Sequence, residues 1–387
     1  MLGRDRMAYF DNAATTFPKP ECVYDFMNDF YRVSGANAGR GHYDMAESAG
    51  ALIKDTRKRL QMLLHCEAKQ VVFTPTATLA LNIIIQGMIQ KGVKNIYITP
   101  FEHNAVTRTL HHFEKQSQIT ITQLAVDQSL KYDLERIHYQ FDAVKPDMVI
   151  VSHASNVIGL IAPVEEIFKL AKEYAAYTLT DMSQTAGLVD LQVGLSTIDF
   201  AVFAGHKTLY GPTGISGFIM KPDIDMPTVL FGGTGYESAN QDMPHSLPER
   251  YEMGTTNILG IAGLNAALKW LEKQGLEALW NKEQAHRKCL LALLKKYDFI
   301  KIIGNSTQAE FVGIVSCIIN GISSDSAAAI FDKLGIAVRT GLHCAPLAHQ
   351  FLGTFPAGTI RFSVGYFTCE DDFIALEEAL DYIEDNL

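Results

Sequence analysis

Lys207 and Asp181 are the residues of this chain best placed to do chemistry. Lys207 follows an apolar run, Ile198 to Ala204, broken only by Asp199, and precedes the glycine-rich turn Tyr210-Gly211-Pro212-Thr213-Gly214. Such a run reads as a buried strand, which puts the lysine at a strand end inside the protein. Burying an ammonium costs free energy, and lysine is kept there chiefly where a lowered pKa makes it a nucleophile or Schiff-base former. Asp181 lies 207 − 181 = 26 residues earlier, enough chain for one return connection between two strands. The two side chains can therefore converge at one sheet edge, as a catalytic pair or as a structural ion pair.

The elements that must position them are legible from the apolar pattern. Strand candidates are Gln70–Phe73, Asn95–Thr99, Thr120–Leu124, Asp147–Ser152, Tyr177–Thr180, Phe200–Phe203 and Gly217–Met220, with helical patterns such as Leu79–Gln90 and Pro163–Ala176 between them. Alternating strands and helices predict an α/β layered domain with a mostly parallel seven-stranded sheet. Its ligands belong at the carboxyl ends of the strands. Past residue 257 a helical stretch, Leu259–Lys273 and beyond, short strands near Ile314–Ile319 and Arg361–Val364, and a last helix, Glu370–Asp385, predict a smaller α+β unit. The expected division is a large domain, 15–256, and a small domain of 1–14 with 257–387.

Four strand ends carry polar candidates: Thr78, His103, Asp181 and Lys207. A lysine with a carboxylate at such an edge suits pyridoxal phosphate, the lysine as Schiff base and the aspartate as partner of the ring nitrogen. Thr76-Ala77-Thr78 opens a helix whose N–H groups can seat a phosphate, or Thr78 is simply its N-cap. His103 can stack on a flat cofactor or simply fill a turn.

The whole-chain numbers narrow the field. The 387 residues, 48% hydrophobic and 20% charged, are those of an ordinary globular protein with a large core. A net charge of −10 offers no basic surplus for nucleic acid. Cys22, Cys66, Cys289, Cys317, Cys344 and Cys369 form no Cys-x-x-Cys pair, which suggests neither a metal site nor a disulfide framework. Met1–Arg6 lacks a signal-peptide core and no apolar run approaches a membrane span. The expectation is a cytoplasmic protein with reduced thiols.

Motifs along almost the whole chain resemble the class V, fold-type I pyridoxal-phosphate enzymes, and cysteine desulfurases in particular. They are Tyr9-Phe10-Asp11-Asn12-Ala13-Ala14, Ser155-Asn156-Val157-Ile158-Gly159, Asp181-Met182-Ser183-Gln184, Gly205-His206-Lys207, Glu252-Met253-Gly254-Thr255-Thr256-Asn257 and Arg339-Thr340-Gly341-Leu342-His343-Cys344-Ala345. The last is similar to the Arg-x-Gly-His-His-Cys-Ala of Suf-type (group II) desulfurases and selenocysteine lyases, not to the Isc/Nif-type signature. The resemblance implies Lys207 as the Schiff-base lysine, Asp181 on the pyridinium nitrogen, Gln184 on the phenolic oxygen and His103 stacked on the ring. It implies Thr78, Ala77 and His206 at the phosphate, with Thr255 reaching in from a second subunit of a homodimer. Arg361 and Asn156 would meet the substrate carboxylate, with Arg339 and His42 lining the same pocket. Cys344 would take sulfur from L-cysteine as a persulfide, release alanine and pass the sulfur to an acceptor protein, its thiolate assisted by His343 or Arg339.

The chain departs from that pattern at three points. Ala204 stands where many relatives have a phosphate-binding serine, Leu342 replaces the first histidine of His-His-Cys, and Ala345 runs directly into Pro346. Selenocysteine lyase remains the nearest alternative. Another is a class V aminotransferase, lyase or epimerase with Cys344 idle, and the non-enzyme alternative is a scaffold. Read alone, Cys344 fits a buried apolar site better than a nucleophile; Arg339, His343 and Arg361 nearby in sequence reverse that preference.

Overall fold

A computed structural model describes residues 7–38, 41–237 and 239–386. The N-terminal segment gives β1 (Ala8–Tyr9), α1 (Glu21–Ser34) and α2 (Asp44–Leu63). The large sheet is then built from β2 (Gln70–Thr74), α3 (Ala77–Gln90), β3 (Asn95–Ile98), α4 (Asn104–Glu114), β4 (Thr120–Gln123), α5 (Leu134–Ala143), β5 (Met148–Ser152), α6 (Val164–Glu173), β6 (Tyr177–Asp181), β7 (Phe200–Ala204) and β8 (Ser216–Met220). All seven strands expected from the apolar runs form, within a residue or two of their predicted ends. Their order is β2-β8-β7-β6-β5-β3-β4. Only β8 runs against its neighbours, because a loop without a crossover helix joins it to β7 and permits only an antiparallel return.

Both faces of the sheet are covered, so its inner strands are apolar on both sides, while the edge strand β4 stays partly exposed. One face packs Val149, Val151, Ala201 and Phe203 against α2, α5, α6 and α7 (Ile258–Gln274). The other packs Met148, Ile150, Leu179, Phe200 and Val202 against α3 and α4. With a two-residue period, the second set leads to a definite end. Ile150 is followed by Ser152, Leu179 by Asp181 and Val202 by Ala204. Where the apolar stripe stops, polar and small side chains take its place on the same face, below the N-terminus of α3.

A second core holds the chain's other end. After α8 (Leu276–Leu294) come β9 (Ile300–Ile303), β10 (Ile314–Ile319), α9 (Ser324–Lys333), β11 (Ile336–Ala337), β12 (Arg339–Gly341), α10 (Pro346–Phe351), β13 (Thr359–Ser363) and α11 (Glu370–Glu384). The small sheet runs β12-β13-β10-β9, antiparallel throughout. Its core takes Leu290, Val315, Phe331, Phe362 and Leu376, together with Ala8 and Phe10 from the N-terminal segment. Strand β1 pairs in parallel with β11. Helix α7, by contrast, lies in the large-sheet core beside α1 and α2. No helix among the described residues is long and apolar enough to cross a membrane.

Candidate active site

A cavity of about 260 Å³ opens where the stripe ends, lined among others by Ala77, Thr78, His103, Ser152, Asn156, Asp181, Gln184, Ala204, His206 and Lys207. Lys207 leaves β7 through Gly205, which no other residue can replace: a Cβ there would meet the Ile215 carbonyl oxygen at 2.3 Å. Enclosure by protein pulls its ammonium from 10.5 down to about 8, against the pull of Asp181 and helped by Arg361 and Arg339. Asp181 ends β6 beside Ser152 on β5. Its Oδ1 is fixed by the Ser183 N–H at 2.9 Å and the Ser183 hydroxyl at 2.6 Å. Gln184 donates from Nε2 to the Ala13 carbonyl at 3.0 Å, tying the site to the N-terminal segment.

Helix α3 begins two residues earlier than expected, at Ala77. Its N-cap is Thr76, whose hydroxyl accepts from the Leu79 N–H at 3.1 Å. Thr78 is therefore inside the first turn, a correction that backbone conformation alone decides, since Thr76 and Thr78 can both cap. The N–H groups of Ala77 and Thr78 have no hydrogen-bond partner among the described residues, and both residues line the cavity. A helix start of this kind, with its positive dipole end, is an anion seat. Burial, with Lys207 and Lys19, brings the His206 imidazole down to about 4. Its Nδ1 is buried without a partner.

His103 caps α4: its Nδ1 accepts from the Ala105 N–H at 3.0 Å. A nitrogen that accepts carries no proton, so the ring's hydrogen sits on Nε2. Burial first, then Lys207, keeps the ring neutral by bringing its pKa to about 4. Beside it, Glu102 is buried and accepts from Thr99 Oγ1 at 2.7 Å and from the Ser152 N–H at 2.7 Å and hydroxyl at 2.8 Å. Burial raises that carboxyl to about 7.

Cys344 stands in the loop between β12 and α10, half-buried. Arg339 Nη2 lies 3.3 Å from its Sγ. Its carbonyl accepts from the Asn104 N–H at 2.7 Å, which locks the loop to the start of α4. His343 and Cys344 both have positive φ, 46° and 58°. Two consecutive non-glycine residues in that region carry strain, which structures retain mainly at functional sites.

Not every expected residue joins them. His343 cannot assist the thiolate. It is buried, its Nε2 pairs with Thr359 Oγ1 at 2.9 Å, and burial plus Arg361 drive its pKa to about 2. Arg361 is fully buried, with Nη1 on the Asn156 carbonyl at 2.9 Å and Nη2 on Asp11 Oδ1 at 2.8 Å, while Nε has no partner. Asn156 also donates to the His343 carbonyl at 2.6 Å. His42 is exposed ahead of α2 and lines none of these surfaces. Thr255 is exposed too, on a separate surface with Glu252 and Asn257.

Three contributors are given no role by the sequence alone, although Ser183 lies within one of its motifs. Ser183 had a signal, since Asp-x-Ser spacing favours a side-chain turn. Glu102, a charge in the loop that follows a buried strand, had a weaker one. Lys19 had none: its Nζ donates to the His206 carbonyl at 2.6 Å and to Thr16 Oγ1 at 2.8 Å, and Thr16 Oγ1 donates to the Lys207 carbonyl at 3.0 Å. This strap holds the backbone that carries the lysine.

Residues 8–376 match the class-V aminotransferase family. The chain belongs to that family. A probable cysteine desulfurase of Pyrococcus abyssi is 31% identical over 348 residues, 87% of this chain and 84% of that protein. A cysteine desulfurase of Haloferax volcanii is 28% identical over 384 residues, 97% of this chain and 89% of that one. The apo structure of the Thermococcus onnurineus cysteine desulfurase superposes with a TM-score of 0.91 at 27% identity, covering 98% of this chain and 95% of the other. Within the class-V family, the chain thus groups with the cysteine desulfurases.

Proposed function

We propose that the protein is a pyridoxal-phosphate-dependent, Suf-type cysteine desulfurase that converts L-cysteine to L-alanine and carries the sulfur on Cys344. The observation that carries this reading is the Arg339 guanidinium set against the Cys344 sulfur at 3.3 Å, beside the lysine cavity. The residues present fit the cofactor. The unpartnered N–H groups of Ala77 and Thr78 and the orphaned Nδ1 of His206 offer donors to an anion, and Lys207 and Asp181 line the same cavity. Lys207, Asp181, Gln184, His103, Thr78 and His206 would hold pyridoxal phosphate, which supplies an electron sink when bound.

The chain's own groups then have separate tasks. With its ammonium at about 8, Lys207 Nζ is unprotonated in roughly a tenth of molecules at neutral pH, so it can bond a carbonyl and later move a proton. His103 presents a neutral ring with its hydrogen on Nε2. Arg361 and Asn156 are the carboxylate-binding pair, with Arg361 Nε as the guanidinium nitrogen that has no partner. A sulfur nucleophile reacts as its thiolate, and Arg339 places positive charge against it. Cys344 Sγ bonds the substrate sulfur as the carbon–sulfur bond breaks, and the amino acid left behind takes up a proton as alanine.

Further parts of the reading are a homodimer in which Thr255 reaches the neighbouring phosphate seat, supported by its exposed position away from its own cavity, and transfer of sulfur to an acceptor protein. A cytoplasmic location is supported by six free cysteines. The test is alanine release from L-cysteine by the wild type and by Cys344→Ser. The reading expects loss of at least about a hundredfold, the scale on which removing a nucleophile acts. Equal rates would leave Cys344 idle and favour another class V reaction.

A further inference from the structure

We propose that the acceptor's thiol reaches the Cys344 sulfur through a second cavity, which adjoins the substrate side at Asn104 and Arg108, and that this cavity selects a cysteine flanked by carboxylates on an acceptor-protein loop. The proposal rests on the desulfurase reading above.

Cys344 borders two spaces. One, of about 510 Å³, shares Thr78, His103 and Ala105 with the cofactor cavity and is the substrate side. The other, of about 730 Å³, is walled by the outer face of α4, by β4 and by the loop that carries Cys344. It has the size of a ligand site, enough for the tip of a peptide loop, and contains neither Lys207 nor Asp181. The strained backbone at His343 and Cys344 holds the cysteine between the two. A nucleophile so placed can take sulfur on one side and offer it on the other.

Charge decides what the second cavity accepts. Its charged lining is Arg108, Arg339, His111 and Glu114. His111 and Glu114 face each other at 3.8 Å, and Arg339 lies against the Cys344 sulfur. Arg108 is exposed and makes no hydrogen bond or ion pair among the described residues. Two guanidiniums against one carboxylate make a positive patch on a chain whose net charge is −10. Against that negative balance, the patch is a local site of favourable charge for an acidic partner. In the transfer itself the acceptor thiolate attacks the outer sulfur of the Cys344 persulfide. One sulfur–sulfur bond forms, the other breaks, and Cys344 leaves as its thiolate; no oxidant or reductant is consumed.

The test uses holoenzyme given one equivalent of L-cysteine and desalted, with sulfur followed by mass spectrometry. Two probe peptides, acetyl-Glu-Cys-Glu-amide and acetyl-Lys-Cys-Lys-amide, compete for it. Flanking carboxylates disfavour the thiolate, so intrinsic reactivity runs against the acidic peptide. We expect the acidic peptide nevertheless to be about tenfold faster at low salt, an advantage that high salt removes. Thr107→Glu and, independently, Gln123→Glu, at positions that line this cavity and not the substrate side, should each reduce that ratio to about one or below, while persulfide forms on Cys344 as in the wild type. A wild-type ratio near one, or a ratio that neither substitution moves, overturns the proposal. Equal transfer to free mercaptosuccinate would overturn the loop as the source and assign the cavity to a small acidic thiol. Failure of Cys344 to gain sulfur at all refutes the desulfurase reading instead, and the proposal with it.

Discussion

Removing the amine of Lys207 should stabilise the apoprotein, and by an amount that shrinks as pH rises. The Lys207 ammonium titrates at about 8 in the folded chain against 10.5 ordinarily. Between those values the unfolded chain binds more protons, so wild-type stability climbs with pH through that window. Below pH 8 the folded protein carries the full cost of the enclosed charge, about 2.5 pH units or roughly 3 kcal/mol. At pH 9.5 the two-state titration leaves about 1.4 kcal/mol of it. Lys207→Met has no such group, and its difference from the wild type isolates this one site from the other titrations. Urea unfolding of both apoproteins at pH 6.5 and 9.5 should show the Met variant ahead by roughly 3 kcal/mol at the lower pH, with the gap narrowing by about 2. A gap that stays constant across that range would mean an ordinary lysine, and the argument for a poised nucleophile would fail.

Two further outcomes follow from the same contacts. Asp11→Asn keeps a hydrogen-bonding oxygen near Arg361 but removes the charge opposite a fully buried guanidinium; about 1–3 kcal/mol of stability should be lost in urea unfolding, and less than about 0.5 would show that Asp11 does not compensate it. Thr255→Ala should raise the dissociation constant for pyridoxal phosphate about tenfold without changing urea stability of the apoprotein, the cost of one phosphate hydrogen bond; unchanged cofactor binding would remove Thr255 from the proposed neighbouring site.

The fold was open to reading because its inner strands are buried on both faces. Runs such as Met148–Ser152 and Tyr177–Asp181 read plainly as buried, and the polar residues that end them, Ser152 and Asp181, mark where the cavity begins. What stayed hidden depends on distance or on backbone detail. Asp11 and Arg361 are 350 residues apart, and nothing near either names the other. His343 sits next to the nucleophile in sequence, yet a positive φ at both residues turns its ring to Thr359 instead of the sulfur. Lys19 acts on a carbonyl, and sequence carries no pattern for backbone acceptors. The choice between Thr76 and Thr78 as cap turned on extended backbone at Thr76, φ −145° and ψ 151°.

The most direct test of the central claim is the mass of the Cys344 peptide after brief exposure of the holoenzyme to L-cysteine without reductant. The account predicts a gain of one sulfur confined to that peptide, with alanine in solution. Alanine without the adduct, or sulfur on another cysteine, would contradict it.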